Sequence, residues 1–153
     1  MRGGNYACFH HQSDIRATRA KAAMWPTYLV VMAGGALGSA ARLWMSGTIA
    51  ARFGETFPVG TFTVNALGCL VIGVFTAFTG PDGPFIVPPL VRQFVSIGVL
   101  GGFTTFSSFG LQTITLMSDG EWFYAMLYVL LSIAVCLAFV WAGIMLGSSL
   151  TPK

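Results

Sequence analysis

The segment Gly98-Val99-Leu100-Gly101-Gly102-Phe103-Thr104-Thr105-Phe106-Ser107-Ser108-Phe109-Gly110 puts four glycines and four hydroxyls into the middle of an apolar block. That block runs from about Pro89 to Met117 and carries its only charge, Arg92, near the start. A run of this kind is long enough to cross a bilayer, which takes about 20 apolar residues for about 30 Å of hydrocarbon. Within such a helix, Gly101-Gly102 followed by Thr104-Thr105 favours local unwinding. Unwound backbone at membrane depth is tolerated only where it is buried in protein or faces a polar cavity. The helix is therefore expected to break near its middle, where freed carbonyls can hold a cation and hydroxyls can bond a passing ion. Glycines alone would favour the competing role, a close helix–helix contact of small residues. The cluster as a whole favours the break.

Three further apolar blocks surround this one. The first spans about Pro26 to Ala51, with Arg42 as its single charge. The second, about Phe57 to Gly80, opens at Pro58, which suits a first helical turn because no N–H is needed there, and closes at Gly80-Pro81-Asp82-Gly83-Pro84, a cluster of breakers. The fourth, about Trp122 to Leu146, has no charge. Such uniformly apolar blocks lack the alternation of barrel strands, so four membrane-spanning helices are expected. Composition agrees: 55% of the 153 residues are apolar and 8% charged, against about a quarter charged in soluble domains. The mean hydropathy is +0.75. Four spans and short connections leave no room for a soluble catalytic domain, so the chain is expected not to be an enzyme.

Residues 1–24 form a polar, mixed-charge leader without periodicity, read here as disordered; the membrane domain is expected over residues 25–150. A targeting segment is the alternative, and Met24 is a candidate start. Half of the eight Lys and Arg (Arg2, Arg16, Arg19 and Lys21) lie in the leader. With four spans, the leader, Arg92 and Lys153 share one side and Arg42 and Arg52 the other, so the leader sets a bias toward cytoplasmic termini. Without it the balance is two against two, which permits insertion both ways and hence an antiparallel dimer. Cys8, Cys69 and Cys136 fit neither a disulfide framework nor a metal cluster and are read as buried small hydrophobes. His10 and His11 are read as solvated residues.

Phe106 and Phe109 stand three apart and share a helical face. Aromatic pairs on apolar helices are usually packing, but the positive edge of a phenyl ring can stabilise an anion without a formal charge. Thr61, Thr63 and Asn65 interrupt the second block. An intramembrane Asn is costly unless its amide is used, either between helices or on an anion. Tyr128 and Ser132 share a face of the fourth helix and allow a polar track beside the phenylalanines. Arg42 must snorkel, pair or serve function. No Asp, Glu, Lys or His lies deep in a span, which argues against a proton-coupled carrier.

From about Tyr28 to Gly147 the sequence resembles the CrcB/Fluc family of small fluoride ion channels. The resemblance rests on Gly34-Gly35-x-x-Gly38 through Arg42, on Phe57-Pro58-x-Gly60-Thr61-x-x-x-Asn65-x-x-Gly68, and on Gly101-Gly102-Phe103-Thr104-Thr105-Phe106-Ser107-Ser108-Phe109. It implies an all-α integral membrane protein of the cell inner (plasma) membrane, a dual-topology antiparallel homodimer of four-helix subunits with two fluoride pores. By the same resemblance Asn65 is the pore asparagine, Phe106 and Phe109 line the pores, and Ser107 or Ser108 with Tyr128 and Ser132 correspond to the polar track. Backbone carbonyls of Gly101 and Thr104 hold a structural sodium ion (Na+) between the chains, and Arg42 matches the family arginine as a structural or vestibule charge. The leader's added charge would bias insertion toward one orientation.

The function these expectations give is passive, selective export of fluoride from the cytoplasm, with fluoride, a second copy of the chain and the bilayer as partners. The alternatives are a small four-helix multidrug-type antiporter, which needs a titrating carboxylate where only Glu55 stands near a span boundary, and a non-conducting assembly protein packed through Gly34-x-x-x-Gly38 and Gly143-x-x-x-Gly147.

Overall fold

Pro58, the breaker at Gly80 and the turn at Gly120 cut the chain into four helices long and apolar enough to cross a membrane: Met24–Phe53, Val59–Thr79, Pro89–Ser118 and Trp122–Ser149. The structure, a computed structural model, describes residues 4–53, 57–80 and 83–150, with side chains from Met24 onward. Glu55, Pro81, Asp82 and Lys153, and the side chains of Cys8, His10, His11 and the leader's basic residues, lie outside this description.

The elements are α1 (Gly4–Phe53), α2 (Val59–Thr79), α3 (Pro89–Gln93), a π-helical segment (Phe94–Leu100), α4 (Gly101–Phe103), α5 (Phe106–Ser118) and α6 (Trp122–Ser149). The third span is thus four consecutive pieces. Helix α1 runs through Pro26 rather than starting there, and its backbone is already helical from Gly4. Helix formers such as Ala17, Ala20, Ala22 and Ala23, with no proline before Pro26, account for it.

Glycines set how the spans meet. A Cβ on Gly34 would lie 2.7 Å from the carbonyl oxygen of Phe94, one on Gly38 2.8 Å from the nitrogen of Phe103, and one on Gly102 2.7 Å from the carbonyl oxygen of Gly35. Helix α1 therefore lies backbone to backbone along the π-helical segment and α4, in parallel. A second parallel pair, α2 with α6, closes the same way: a Cβ on Gly73 would lie 3.1 Å from Cα of Gly143. In lipid, where burying apolar side chains gains little between helices, such close approach is what holds spans together. The π-helical segment, with its i→i+5 bonding, is the kind of local rewinding that recurs at functional sites.

Two connections are fixed by specific bonds. Gly120 adopts φ +82°, a conformation that favours glycine. Around it, Asp119 N–H donates to Thr115 O and Gly120 N–H to Met117 O, closing the end of α5. The Arg92 guanidinium donates to the carbonyl of Thr79 at the end of α2, where a cation complements the helix dipole. The buried core, Leu116, Ala125 and Tyr128, sits where α5 meets α6, with Phe57, Phe62, Phe109 and Met117 packed on it.

Candidate functional site

The break in the third span lies at Thr104 and Thr105, both extended (φ −81°, ψ 157° and φ −151°, ψ 116°). Gly101 and Gly102, expected to unwind, are helical instead, and Gly102 serves the close approach to Gly35. What holds the chain open is a side chain from another helix. Asn65 Nδ2 donates to Thr105 O at 3.0 Å, and Thr105 N–H donates to Asn65 Oδ1 at 2.8 Å. The amide of Asn65 thus supplies the acceptor that Thr105 N–H has lost and adds a second donor to the Thr105 carbonyl at the point where the helix stops.

The N–H of Thr105 would otherwise continue the α-helical ladder to the carbonyl of Gly101. Engaged by Asn65, it leaves that carbonyl without its i+4 donor. A similar substitution follows one step on. Thr105 is the N-cap of α5, and its Oγ1 accepts from Ser108 N–H at 3.2 Å. That N–H would otherwise reach back to Thr104 O. The carbonyls of Gly101 and Thr104, which the resemblance singles out, are thus among those that lose their helical donors at the break. Thr104 Oγ1 meanwhile turns back to Leu100 O at 2.9 Å.

Beside the break lies a cavity of about 360 Å³, lined among others by Asn65, Ser132, Gly101, Thr104, Phe106 and Phe109. Six of the expected site residues are thus brought together. Phe106 and Phe109 have ring centroids 5.4 Å apart at an interplanar angle of 39°. Phe109 lies 5.1 Å from the ring of Tyr128, which in turn meets Phe57 edge-on at 5.5 Å and 83°. Phe109 is therefore held from behind, whereas Phe106 is 84% exposed on the protomer.

Ser107, Ser108, Tyr128 and Arg42 do not line this cavity. Ser107 and Ser108 gather around Thr105: their hydroxyls are 3.2 and 3.1 Å from Thr105 Oγ1. Tyr128 is fully buried and donates its hydroxyl to Gln112 Oε1 at 3.0 Å. Gln112 lines a second cavity of about 680 Å³, together with Leu43, Ser46, Phe57, Asp119 and Glu121. The Tyr128–Gln112 pair therefore stands between the two cavities. Arg42 is half-buried on α1.

Because α2 and α6 run parallel, residues four apart on each form matched rungs. Asn65 and Ser132 share the first cavity, and Cys69 with Cys136 follow one turn on. Ser132 is 7% exposed, and its Oγ is buried without a hydrogen-bond partner. Sequence reasoning did not find Thr105, Gln112 or the two cysteines as parts of this arrangement. Thr105 carried a usable signal, a threonine followed three residues on by Ser108 at the start of an apolar helix. The pairing of Gln112 with Tyr128 carried none.

Fold and site together define a multi-pass membrane protein of four spans whose broken third helix opens on an uncharged, partly polar cavity. Residues 29–144 match the family model described as CrcB-like protein, Camphor Resistance (CrcB). The fluoride-specific ion channel FluC of Rhodospirillum rubrum is 53% identical over 117 residues, covering 76% of this chain and 91% of that protein. The proteins of the same name from Opitutus terrae and Methylocella silvestris are 51% and 49% identical over 116 residues, 76% of this chain and 88% of each relative. The chain belongs to the CrcB-like protein family.

Proposed function

We propose that this chain is a fluoride-specific ion channel of the cell inner membrane that returns fluoride passively from the cytoplasm and so protects against its toxicity. The observation that carries the reading is the cavity at the break, in which Asn65, Ser132 and the rings of Phe106 and Phe109 converge without any ionisable carboxylate or amine. Hydrogen fluoride enters as the neutral acid, dissociates in a more alkaline interior and is trapped as the anion. A pore without a titrating group suffices to release it down its gradient.

Fluoride must exchange tightly held water for protein donors, and the site offers few but suitable ones. An asparagine amide has two N–H donors. One of Asn65's is committed to Thr105, and the other serves the anion. Ser108, beside the cavity and not on its wall, accepts from Thr105, so its own O–H remains a donor, and the hydroxyl of Ser132 has no partner among the described residues. Phenyl edges add positive potential without a charge that would trap the ion. Narrowness then excludes larger halides.

The high exposure of Phe106 supports a homodimer, because a ring that lines a pore needs a second wall. An antiparallel copy supplies it, and the leader's basic residues favour one insertion orientation for each chain that carries them. The Gly101 and Thr104 carbonyls, relieved of their helical donors, fit a structural sodium ion: hard oxygen ligands on a rigid break suit a hard cation. Bound there, sodium supplies fixed positive charge near the pore. A carrier reading lacks its titrating group in the spans.

The test is efflux from proteoliposomes loaded with fluoride, followed with a fluoride-selective electrode after purified protein is added. Release well above that of protein-free vesicles supports the reading, and retention equal to theirs removes it.

A further inference from the structure

We propose that Cys69 and Cys136 form a two-thiol site for a soft metal cation on the wall of the cavity, one helical turn beyond Asn65 and Ser132. Residues four apart lie on one helical face, so Cys69 follows Asn65 on α2 and Cys136 follows Ser132 on α6. Both thiols line the same cavity, and both are free. Their spacing is held by the close approach of Gly73 to the carbonyl of Val140, each four residues beyond its cysteine. Neither is sealed in, since each is only half-buried.

The chemistry of the pair selects its ligand. Thiolates prefer soft ions such as Cu(I), Ag(I) and Hg(II). Zinc in structural sites takes four ligands, and among the described residues no group of three or more His, Cys, Asp or Glu gathers that could supply them. A two-coordinate ion is what two facing sulfurs can satisfy. Each thiol gives its proton to water as its sulfur binds the metal, so two protons leave per divalent ion and no electron is transferred. Ile72, Leu100 and Ile133, which line the same cavity, carry no ligand atom in their side chains. An ion held there adds bulk and charge to the cavity, and on the reading of this cavity as the fluoride path it stops flux.

The experiment uses full-length protein carrying Cys8→Ser, so that the leader thiol does not compete, and Hg2+ alone as probe. Titration in detergent, read by sulfur-to-mercury charge-transfer absorption and by proton release, should give one ion and two protons per chain. Cys69→Ser and Cys136→Ser should each weaken binding by at least about tenfold, since even outer-shell partners of a metal site cost that much. Binding that is unchanged in either variant, or an independent ion on each thiol, overturns the site. In proteoliposomes Hg2+ should stop fluoride efflux, dithiothreitol should restore it, and Cys69→Ser/Cys136→Ser should be insensitive. Paired binding in vesicles that never pass fluoride contradicts the channel reading and leaves the site standing. Paired binding with undiminished flux overturns its placement on the path.

Discussion

Asn65 on α2 grips the backbone of Thr105 from both sides, donating to its carbonyl at 3.0 Å and accepting from its N–H at 2.8 Å. One side chain thus maintains the break and faces the cavity it creates. On the proposed function, structure and conduction are coupled at this residue, which shapes what its variants can reveal.

Asn65→Ala removes both bonds and leaves the Thr105 N–H unpaired at membrane depth. Interhelical hydrogen bonds in membranes average about 0.6 and reach about 1.7 kcal/mol each, so a loss of roughly 1–3 kcal/mol is expected, together with lost flux. Asn65→Asp keeps an acceptor for Thr105 N–H but sets a carboxylate against Thr105 O, and its charge should also block an anion. Unfolding in detergent and electrode efflux check the two effects; an Asp variant with normal flux would show that this side chain is off the path.

The two phenylalanines should separate. Phe106 is 84% exposed, so Phe106→Ile should cost little stability while reducing fluoride flux by at least about tenfold, a loss worth about 1.4 kcal/mol in barrier height. Phe109 packs on Tyr128, so Phe109→Ile should lower both flux and thermal midpoint. Equal stability loss in the two variants would contradict the packing described.

Ser132 gives a test of sign. Its buried Oγ has no partner, and an unsatisfied buried hydroxyl costs about 1–3 kcal/mol. Ser132→Ala should leave stability unchanged or raised while lowering fluoride flux. Reduced stability would mean that the hydroxyl has a structural partner in the assembled protein.

Neighbouring glycines should behave oppositely. Gly34→Ala brings a methyl within 2.7 Å of Phe94 O and 2.9 Å of Gly98 Cα, backbone atoms that cannot yield cheaply, whereas a Cβ on Gly35 meets nothing within 4 Å. Overpacking of this kind costs about 1–3 kcal/mol. Thermal unfolding should show Gly34→Ala destabilised and Gly35→Ala close to wild type.

These contrasts also mark how far the sequence could be read. Block length and the breakers at Pro58 and Gly80 are local signals, and they located the four spans to within a few residues. A break in the third span was legible from its glycines and threonines to within a few residues, but which of them unwind was not. Unwinding falls at Thr104 and Thr105 because Asn65, 40 residues earlier in the chain, supplies the missing partners, and no local propensity encodes that distance. For the same reason Asn65 was legible as an amide that must be used, not as a clamp on Thr105. Tyr128 and Ser132 were legible as one face from their spacing. That this face meets Thr61, Asn65 and Cys69 depends on α2 and α6 packing in parallel through Gly73 and Gly143, a tertiary fact.

The most direct test is the reversal potential of purified wild-type protein in a planar bilayer with fluoride on one side and chloride on the other. An uncharged slot sized for the smallest halide predicts a potential that follows the fluoride gradient and ignores chloride. A potential that shifts as chloride is raised would contradict the account.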